Sequence, residues 1–189
     1  MLVLSEEDRK TIRDLRAARV LVEVNEEEVK EARCRTIMVS CADGDHFHDL
    51  YTTHTGLCAG SGAFMHHPLS LNGGALLIPE ESPLRQRPDG SYGSDDEVLL
   101  RHIAGAIGLK GPHAVTLYAH APCGMVRKCN LSLFEEFNLL VEAKSRVKKV
   151  VRHLGMEDVL TWFHVYYGGE ERRTYHFDPS AWLFWMKQP

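Results

Sequence analysis

The sequence predicts an α/β protein in which a mostly parallel central β-sheet is flanked by helices, with an N-terminal helical arm. Two short apolar runs, residues 37–39 and 114–119, end at small or polar residues, as strands buried in a parallel sheet do. A helical pattern over residues 94–108 leads directly into the second run. At 189 residues, the chain is long enough for one domain with a proper core, so we expect residues 1–189 to form a single domain.

Composition and charge exclude several classes of function. The net charge is -4, and the basic residues are scattered, whereas a nucleic-acid surface needs a concentrated basic patch. The N-terminus is too short and too acidic for a signal peptide, and no apolar run approaches membrane-spanning length. We therefore expect a cytoplasmic protein that binds neither nucleic acid nor membrane. Five cysteines, an odd number, predict thiols or metal ligands and not a disulfide framework.

Residues 1–33 predict the helical arm. Ser5 stands before a run of acidic residues, as a helix N-cap does, and a helical apolar stripe extends from there to Leu21. A second helix is predicted over residues 25–33, which begin with an asparagine and three glutamates. Residues 79–96 are rich in proline, glycine, serine and charge, and they predict an exposed loop.

The C-terminal third of the chain predicts a long helix followed by two strands. The helix covers residues 130–154, and the strands cover residues 162–167 and 172–177 around a Gly-Gly turn. Residues 181–186 are strongly apolar for a chain end. We expect them to pack onto the core or onto another subunit, because an exposed patch of that kind is a liability.

Two predicted strand ends carry side chains typical of a metal site. Cys41 and Asp43 follow the first strand, and His120 and Cys123 follow the second. Because ligands bind at the carboxyl ends of parallel strands, we expect Cys41, His120 and Cys123 to meet around one metal ion, with Asp43 close by. Two thiolates and one imidazole form a catalytic zinc set that leaves the fourth position for water or a carboxylate. The alternative is a pair of buried cysteines and a hydrogen-bonded histidine without metal.

Three further motifs are less specific. His46 and His48 suit metal binding if their segment is extended, although such histidines are more often solvent-facing or hydrogen-bonded. Asn72-Gly73-Gly74, before a predicted apolar strand, indicates either a simple turn or a place where backbone N–H groups approach a ligand. Gly60-Ser61-Gly62 is followed by no Gly-Lys-Ser/Thr and belongs to no full dinucleotide fingerprint, so it predicts no nucleotide site.

The two metal motifs resemble those of the β-class carbonic anhydrases. Cys41-Ala42-Asp43 is similar to the family's Cys-x-Asp-x-Arg, and the segment from His120 to Gly124 is similar to its Gly-His-x-x-Cys-Gly. The resemblance implies a four- or five-stranded sheet and a homodimer or higher homo-oligomer whose N-terminal helices reach across the partner. It also implies one Zn²⁺ held by Cys41, His120 and Cys123, with Asp43 as the catalytic residue that either occupies the fourth position or orients the zinc-bound water.

The activity that the resemblance implies is that of a lyase, carbonate dehydratase, in which zinc-bound hydroxide converts carbon dioxide to bicarbonate. The family's arginine, which holds the aspartate away from the zinc, is replaced here by Asp45. Two neighbouring carboxylates repel each other, which favours Asp43 on the cation unless another arginine takes the missing position, either Arg85, Arg87 or one from the partner chain.

Three hypotheses follow from the sequence. The first is a zinc enzyme acting on carbon dioxide or on a related small electrophile, carbonyl sulfide or carbon disulfide. The second is a catalytically weak or inactive zinc-binding homologue with a structural or interaction role, which the replacement of arginine by Asp45 favours. The third is a different zinc hydrolase in which residues 79–96 shape a larger substrate pocket.

Overall fold

The computed structural model of the chain describes residues 2–24, 36–58, 66–112 and 114–188. Six α-helices and six strands are assigned within them. The strands are β1 (Leu21–Glu23), β2 (Thr36–Cys41), β3 (His67–Leu71), β4 (Ala114–Ala121), β5 (Val159–Gly168) and β6 (Glu171–Phe177). The helices are α1 (Glu6–Ala17), α2 (Phe47–Cys58), α3 (Asp95–Lys110), α4 (Gly124–Lys128), α5 (Leu133–Arg152) and α6 (Pro179–Trp185).

The strands form one sheet in the order β1-β6-β5-β4-β2-β3. Strand β2 pairs in parallel with β3 and β4, and β4 pairs in parallel with β5. Strand β6 is antiparallel to both of its neighbours, β5 and β1. The predicted α/β architecture, a mostly parallel sheet flanked by helices with a helix at the N-terminus, is confirmed.

The sheet has one strand more than expected because the N-terminal helix is shorter than predicted. Helix α1 begins after Ser5, whose side chain accepts a hydrogen bond from the Asp8 backbone, but it ends at Ala17. Arg19 adopts a left-handed conformation with φ of 57°, and the Val20 N–H returns to the Leu15 carbonyl at 2.9 Å. This is the pattern of a Schellman C-cap, which releases the chain into the edge strand β1.

The two faces of the sheet differ in chemistry. One face packs against α1, α3, α5 and α6 through an apolar core that includes Val39, Leu117 and Phe163. On the other face, which α2 covers in part through Leu50, the alternate side chains of the same strands are frequently polar. The hydroxyls of Thr36 and Thr116 lie 2.9 Å apart on this face. Because side chains alternate along a strand, each strand end presents one residue to each face.

The prediction of an apolar strand after the glycine pair is wrong for residues 74–77. They form a turn of 3₁₀ helix, Gly74–Leu77, while the strand lies earlier, at β3. The run is fully buried, and a short apolar run does not by itself distinguish a buried strand from a buried helical turn. Positive φ values of 99° at Gly73 and 53° at Gly74 turn the chain beneath the end of β2.

The apolar chain end folds back as helix α6. Trp182 is fully buried, and its Nε1–H donates a hydrogen bond to Asn138 Oδ1 at 2.9 Å. The predicted packing of residues 181–186 onto the core is therefore confirmed for Trp182. Phe184, in contrast, is 69% exposed.

Residues 79–96 combine an exposed tip with a buried ion pair. Residues 86–92 are exposed, in line with the predicted loop. Arg85, however, is only 7% exposed, and its Nη1 lies 2.8 Å from Asp96 Oδ1. Arg146 contacts the other carboxylate oxygen of Asp96 at 2.7 Å. Arg85 therefore belongs to this cluster and does not take the place of the family's arginine beside Asp43.

Replacing Asp96 by alanine is expected to lower the free energy of unfolding by about 3 kcal/mol, because it leaves Arg85 buried without its anionic partner. Urea denaturation measures the change. Glu97→Ala is the matched control, since Glu97 is exposed in the same first helical turn and its loss costs less than about 1 kcal/mol. Equal losses in the two variants would contradict the assignment of Asp96 as the structural carboxylate.

Some predictions fall outside these ranges. The helix expected over residues 25–33 and the Gly60-Ser61-Gly62 motif both lie outside the described residues. Within the part of the chain that is described, no helix is both long enough and apolar enough to cross a membrane.

Candidate metal centre

The three predicted metal ligands meet at the carboxyl end of the parallel strands. Cys41 is the last residue of β2, His120 lies one residue before the end of β4, and Cys123 lies between β4 and α4. The two Sγ atoms and one ring nitrogen of His120 lie within 4.8 Å of one another. All three side chains are buried, with at most 6% of each residue exposed. Short helix α4 starts immediately after Cys123, which is its N-cap residue.

The Gly73–Gly74 turn contacts both the side chain and the backbone of Cys41. The Gly73 N–H donates a hydrogen bond to Cys41 Sγ at 3.2 Å. A Cβ atom at Gly74 would lie 2.4 Å from the Cys41 backbone nitrogen, a distance that real side chains do not tolerate. The motif is therefore both a turn and a place where a backbone N–H donor approaches a functional atom, here the sulfur of a predicted metal ligand.

The pKa values of the two thiols are shifted in opposite directions. A hydrogen bond from Cys123 lowers the pKa of Cys41 to about 4, and His120 and the Gly73 N–H add to this effect. The pKa of Cys123 is raised, first by its hydrogen bond to Cys41 and then by burial. A bound cation would favour thiolate at both positions, because metal binding releases ligand protons.

The chemistry of this donor set fits zinc. Both ring nitrogens of His120 are buried and have no hydrogen-bond partner among the described residues, so either is available to a metal ion. Two thiolates and one imidazole are ligands that Zn²⁺ prefers, and they leave one of its four positions for another group. The buried Cys41–His120–Cys123 group is therefore able to bind a metal ion of this class.

Asp43 lies just beyond β2, half-buried, at the start of a tight turn. Its Oδ1 accepts a hydrogen bond from the Asp45 backbone N–H at 3.0 Å. The side chain of Asp45 is exposed, so solvent screens the repulsion expected between the two carboxylates. Asp45 thus contributes a donor to Asp43 through its backbone. The role of Asp43 as catalytic residue or as fourth ligand stays a prediction.

His46 joins the site, whereas His48 does not. The segment is not extended, because His46 directly precedes helix α2 and His48 lies exposed within it. His46 is 4% exposed, and its ring centroid lies 4.7 Å from that of His120. One ligand atom each from Asp43, His46 and His120 lie within 4.8 Å of one another. Two donor sets therefore overlap at His120, one with sulfur ligands and one with a carboxylate and a second imidazole.

The surroundings of His46 contain groups that the sequence did not indicate. Tyr166 contacts the His46 ring with centroids 5.7 Å apart, and the Arg172 guanidinium lies 5.3 Å above the Tyr166 ring. Arg172 is itself paired with Asp49 at 2.7 Å. His164 lies beside His120 in the β4–β5 register. Alternation along β5 places His164 and Tyr166 on one face, but the register with β4 is set by tertiary packing.

Two buried histidines make the stability of the metal-free protein sensitive to acid. Burial lowers the pKa of His54 to about 3 and that of His164 to about 3. In the unfolded chain, these histidines bind protons below a pKa of about 6.5. In the folded chain, they bind protons only at much lower pH, so acid favours the unfolded state. The resulting stability is complete above about pH 6.5 and is lost as the pH falls toward 3.

His54→Gln is expected to weaken this pH dependence, because the amide does not titrate. His54 is the suitable site because its Nδ1 bonds to the Tyr118 hydroxyl at 2.7 Å and because it belongs to neither donor set of the candidate metal centre. Between pH 6.5 and pH 5, the metal-free wild type should lose about 1–2 kcal/mol more stability than the variant. Urea denaturation at both pH values gives the comparison. An unchanged pH dependence would mean that His54 is charged or exposed in the folded protein.

Comparisons with known proteins give distant structural similarities, including those to a carbon disulfide hydrolase and a carbonic anhydrase. No family model and no curated protein matches the chain. An apo form of carbon disulfide hydrolase is 11% identical, with 84% of each chain covered and a TM-score of 0.37. A carbonic anhydrase from Streptococcus mutans is 15% identical, with 92% of this chain and 99% of that chain covered and a TM-score of 0.38.

Proposed function

We propose that this chain is a zinc enzyme that hydrates carbon dioxide to bicarbonate or adds water to a related small electrophile such as carbonyl sulfide or carbon disulfide. The observation that carries the proposal is the buried set of two sulfurs and one imidazole at the carboxyl edge of the sheet. Such a set holds zinc through three protein ligands and leaves one position open. The similarity of both sequence motifs to those of the β-class carbonic anhydrases supports the same function.

Each residue of the proposed site has a distinct role. Cys41 and Cys123 supply negative charge to the cation, and the Gly73 N–H bonded to Cys41 Sγ limits how much charge that sulfur donates. His120 supplies a neutral nitrogen. When bound in a site of this kind, zinc lowers the pKa of a water molecule to about 7 and so makes a strong nucleophile available at neutral pH.

Asp43 is the residue that we propose orients the attacking water. Its carboxylate is held by the Asp45 N–H at 3.0 Å, which supports a carboxylate fixed in its own turn and not one drawn onto the cation. A fixed acceptor near the open position would align a water proton and direct a lone pair toward the substrate. In this way, the turn would replace the salt bridge that the family's arginine provides.

Stopped-flow hydration of carbon dioxide by the zinc-loaded protein, between about pH 6.5 and 9.5, tests the proposal. We expect zinc-dependent turnover that increases with pH. Asp43→Ala should lower the rate by about 10²-fold without loss of zinc, because it removes the positioned acceptor and no sulfur ligand. Full zinc occupancy without turnover at any pH in this range would favour the second candidate, a zinc-binding protein with a structural or interaction role.

One observation favours that second candidate. Among the described residues, Arg172 is paired with Asp49 and Arg85 with Asp96, so neither arginine side chain is bonded to Asp43. If the backbone donor of Asp45 is too weak to hold Asp43, the carboxylate would occupy the fourth position and exclude water. Metal binding would then survive without hydration activity.

We also propose that the protein forms a homodimer or a higher homo-oligomer. The support is the set of exposed apolar side chains on and after α6, where Leu183 is 48%, Phe184 69% and Met186 45% exposed. Light scattering coupled to size-exclusion chromatography should give at least twice the mass of one chain. Phe184→Ser should shift this mass toward that of the monomer if α6 lies in the contact.

A further inference from the structure

His46 is a buried polar side chain whose position requires an explanation. Only 4% of the residue is exposed, and its Nδ1 has no hydrogen-bond partner among the described residues. Buried polar atoms are nearly always bonded to protein, water or an ion, and leaving one without a partner costs about 1–3 kcal/mol. A protein interior that binds nothing at this position would not favour histidine there. The ring therefore indicates a partner that binds at the site.

The backbone fixes where His46 stands. Its N–H donates to the Asp43 carbonyl at 3.1 Å, within the same turn that bonds Asp45 to the Asp43 carboxylate. This turn places Asp43 and His46 together against His120, with ligand atoms of all three within 4.8 Å of one another. Neither cysteine sulfur belongs to this second set. His46 is thus adjacent to the metal-ligand cluster without completing its sulfur-containing set.

The grouping of His46 apart from the two sulfurs indicates whether His46 is a fourth ligand of the metal or a neighbour of the open position. Zinc bonds of about 2.0 Å to nitrogen and about 2.3 Å to sulfur place the ligands of one tetrahedral ion roughly 3.5 Å apart. A group that instead contacts a molecule bound at the fourth position stands one hydrogen bond farther from the sulfurs. The grouping of His46 with Asp43 and His120, and not with the sulfurs, matches the second case.

We propose that His46 is a positioning residue that hydrogen-bonds the small molecule, water or anion, occupying the fourth position of the metal centre. The inference rests on the metal site of the proposed function and adds a residue that the sequence motif does not contain. A neutral imidazole has one donor and one acceptor nitrogen, so the ring is able to hold either an anion or a water molecule. With Asp43 bonded to Asp45, His46 supplies the second side-chain contact on this side of the site.

The test uses the full-length protein loaded with Co²⁺, which takes the place of zinc and reports its ligands in its absorption spectrum. Metal content and the affinity for thiocyanate are measured for wild type, His46→Ala and His46→Gln. We expect one metal ion per chain in all three. Thiocyanate affinity should fall about tenfold in His46→Ala, which is the loss of one hydrogen bond to a charged group, and should be largely restored in His46→Gln.

His48→Ala is the matched control, because His48 is an exposed histidine two residues away. It should retain wild-type metal content and thiocyanate affinity. Unchanged thiocyanate affinity in His46→Ala would overturn the inference. Loss of a metal ion in His46→Ala, from one to none or from two to one, would also overturn it, because His46 would then be a ligand. Wild-type protein that binds no metal would contradict the proposed function itself.

Discussion

Cys123→Ser is expected to release the metal, and it is the substitution with the largest expected effect on function. The variant should retain less than a tenth of the zinc of the wild type after dialysis against a weak chelator, because it removes one of only two thiolates in the set. A buried serine hydroxyl does not ionise near neutral pH and is a poor replacement for a thiolate. Carbon dioxide hydration should be lost with the zinc.

Cys129→Ser provides the control for this experiment. Cys129 is a half-buried free cysteine whose Sγ lies 3.7 Å from the Pro83 carbonyl, and it belongs to neither donor set. The control variant should retain full zinc content. Equal zinc retention in both variants would show that Cys123 does not bind the metal, and equal zinc loss would show a general effect of cysteine replacement.

Gly74→Ala is expected to have the largest effect on folding, with a loss of more than about 4 kcal/mol in the free energy of unfolding. The φ of Gly74 is 53°, and the added Cβ would lie 2.4 Å from backbone atoms of both Ser40 and Cys41. These atoms belong to a central strand that pairs on both sides, so they cannot move without disrupting the sheet. Urea denaturation of the metal-free protein measures the change.

Gly105→Ala is the matched control for Gly74→Ala. Gly105 lies exposed in α3, and a Cβ atom there meets nothing within 4 Å. Alanine at an exposed helical position stabilises by about 0.5–1 kcal/mol relative to glycine. Opposite signs for the two substitutions are the expected result. A Gly74→Ala protein as stable as the wild type would mean that the turn does not lie against Cys41 as described.

The strands at the centre of the fold were predictable because their burial dictates their composition. Strands β2 and β4 are buried at every position, and such strands are continuous runs of apolar and small residues. Helix α5 was equally clear, since Ser132 forms a capping box with Glu135 at its start. Strand β1 was not predictable, because its pairing with β6 joins segments about 150 residues apart and leaves no local pattern.

The composition of the candidate site was predictable in part, because parallel strands bring their carboxyl ends to one edge of the sheet. Strand-end positions of Cys41, His120 and Cys123 follow from the parallel topology, and the structure brings these three together. The backbone bond from Asp45 to Asp43 depends on turn geometry, to which any residue type except proline could contribute its N–H. The convergence of His46 on His120 depends on how α2 enters the fold, and neither detail leaves a signature in residue type.

X-ray absorption at the zinc edge, on wild-type protein with measured zinc content, tests the central claim most directly. We predict one zinc ion per chain with two sulfur neighbours at about 2.3 Å and nitrogen or oxygen neighbours at about 2.0 Å. Cys41→Ser and Cys123→Ser should each lose the sulfur signal along with the metal. Zinc bound by nitrogen and oxygen alone, or a pure protein that retains no zinc, would contradict the assignment of Cys41, His120 and Cys123 as its ligands.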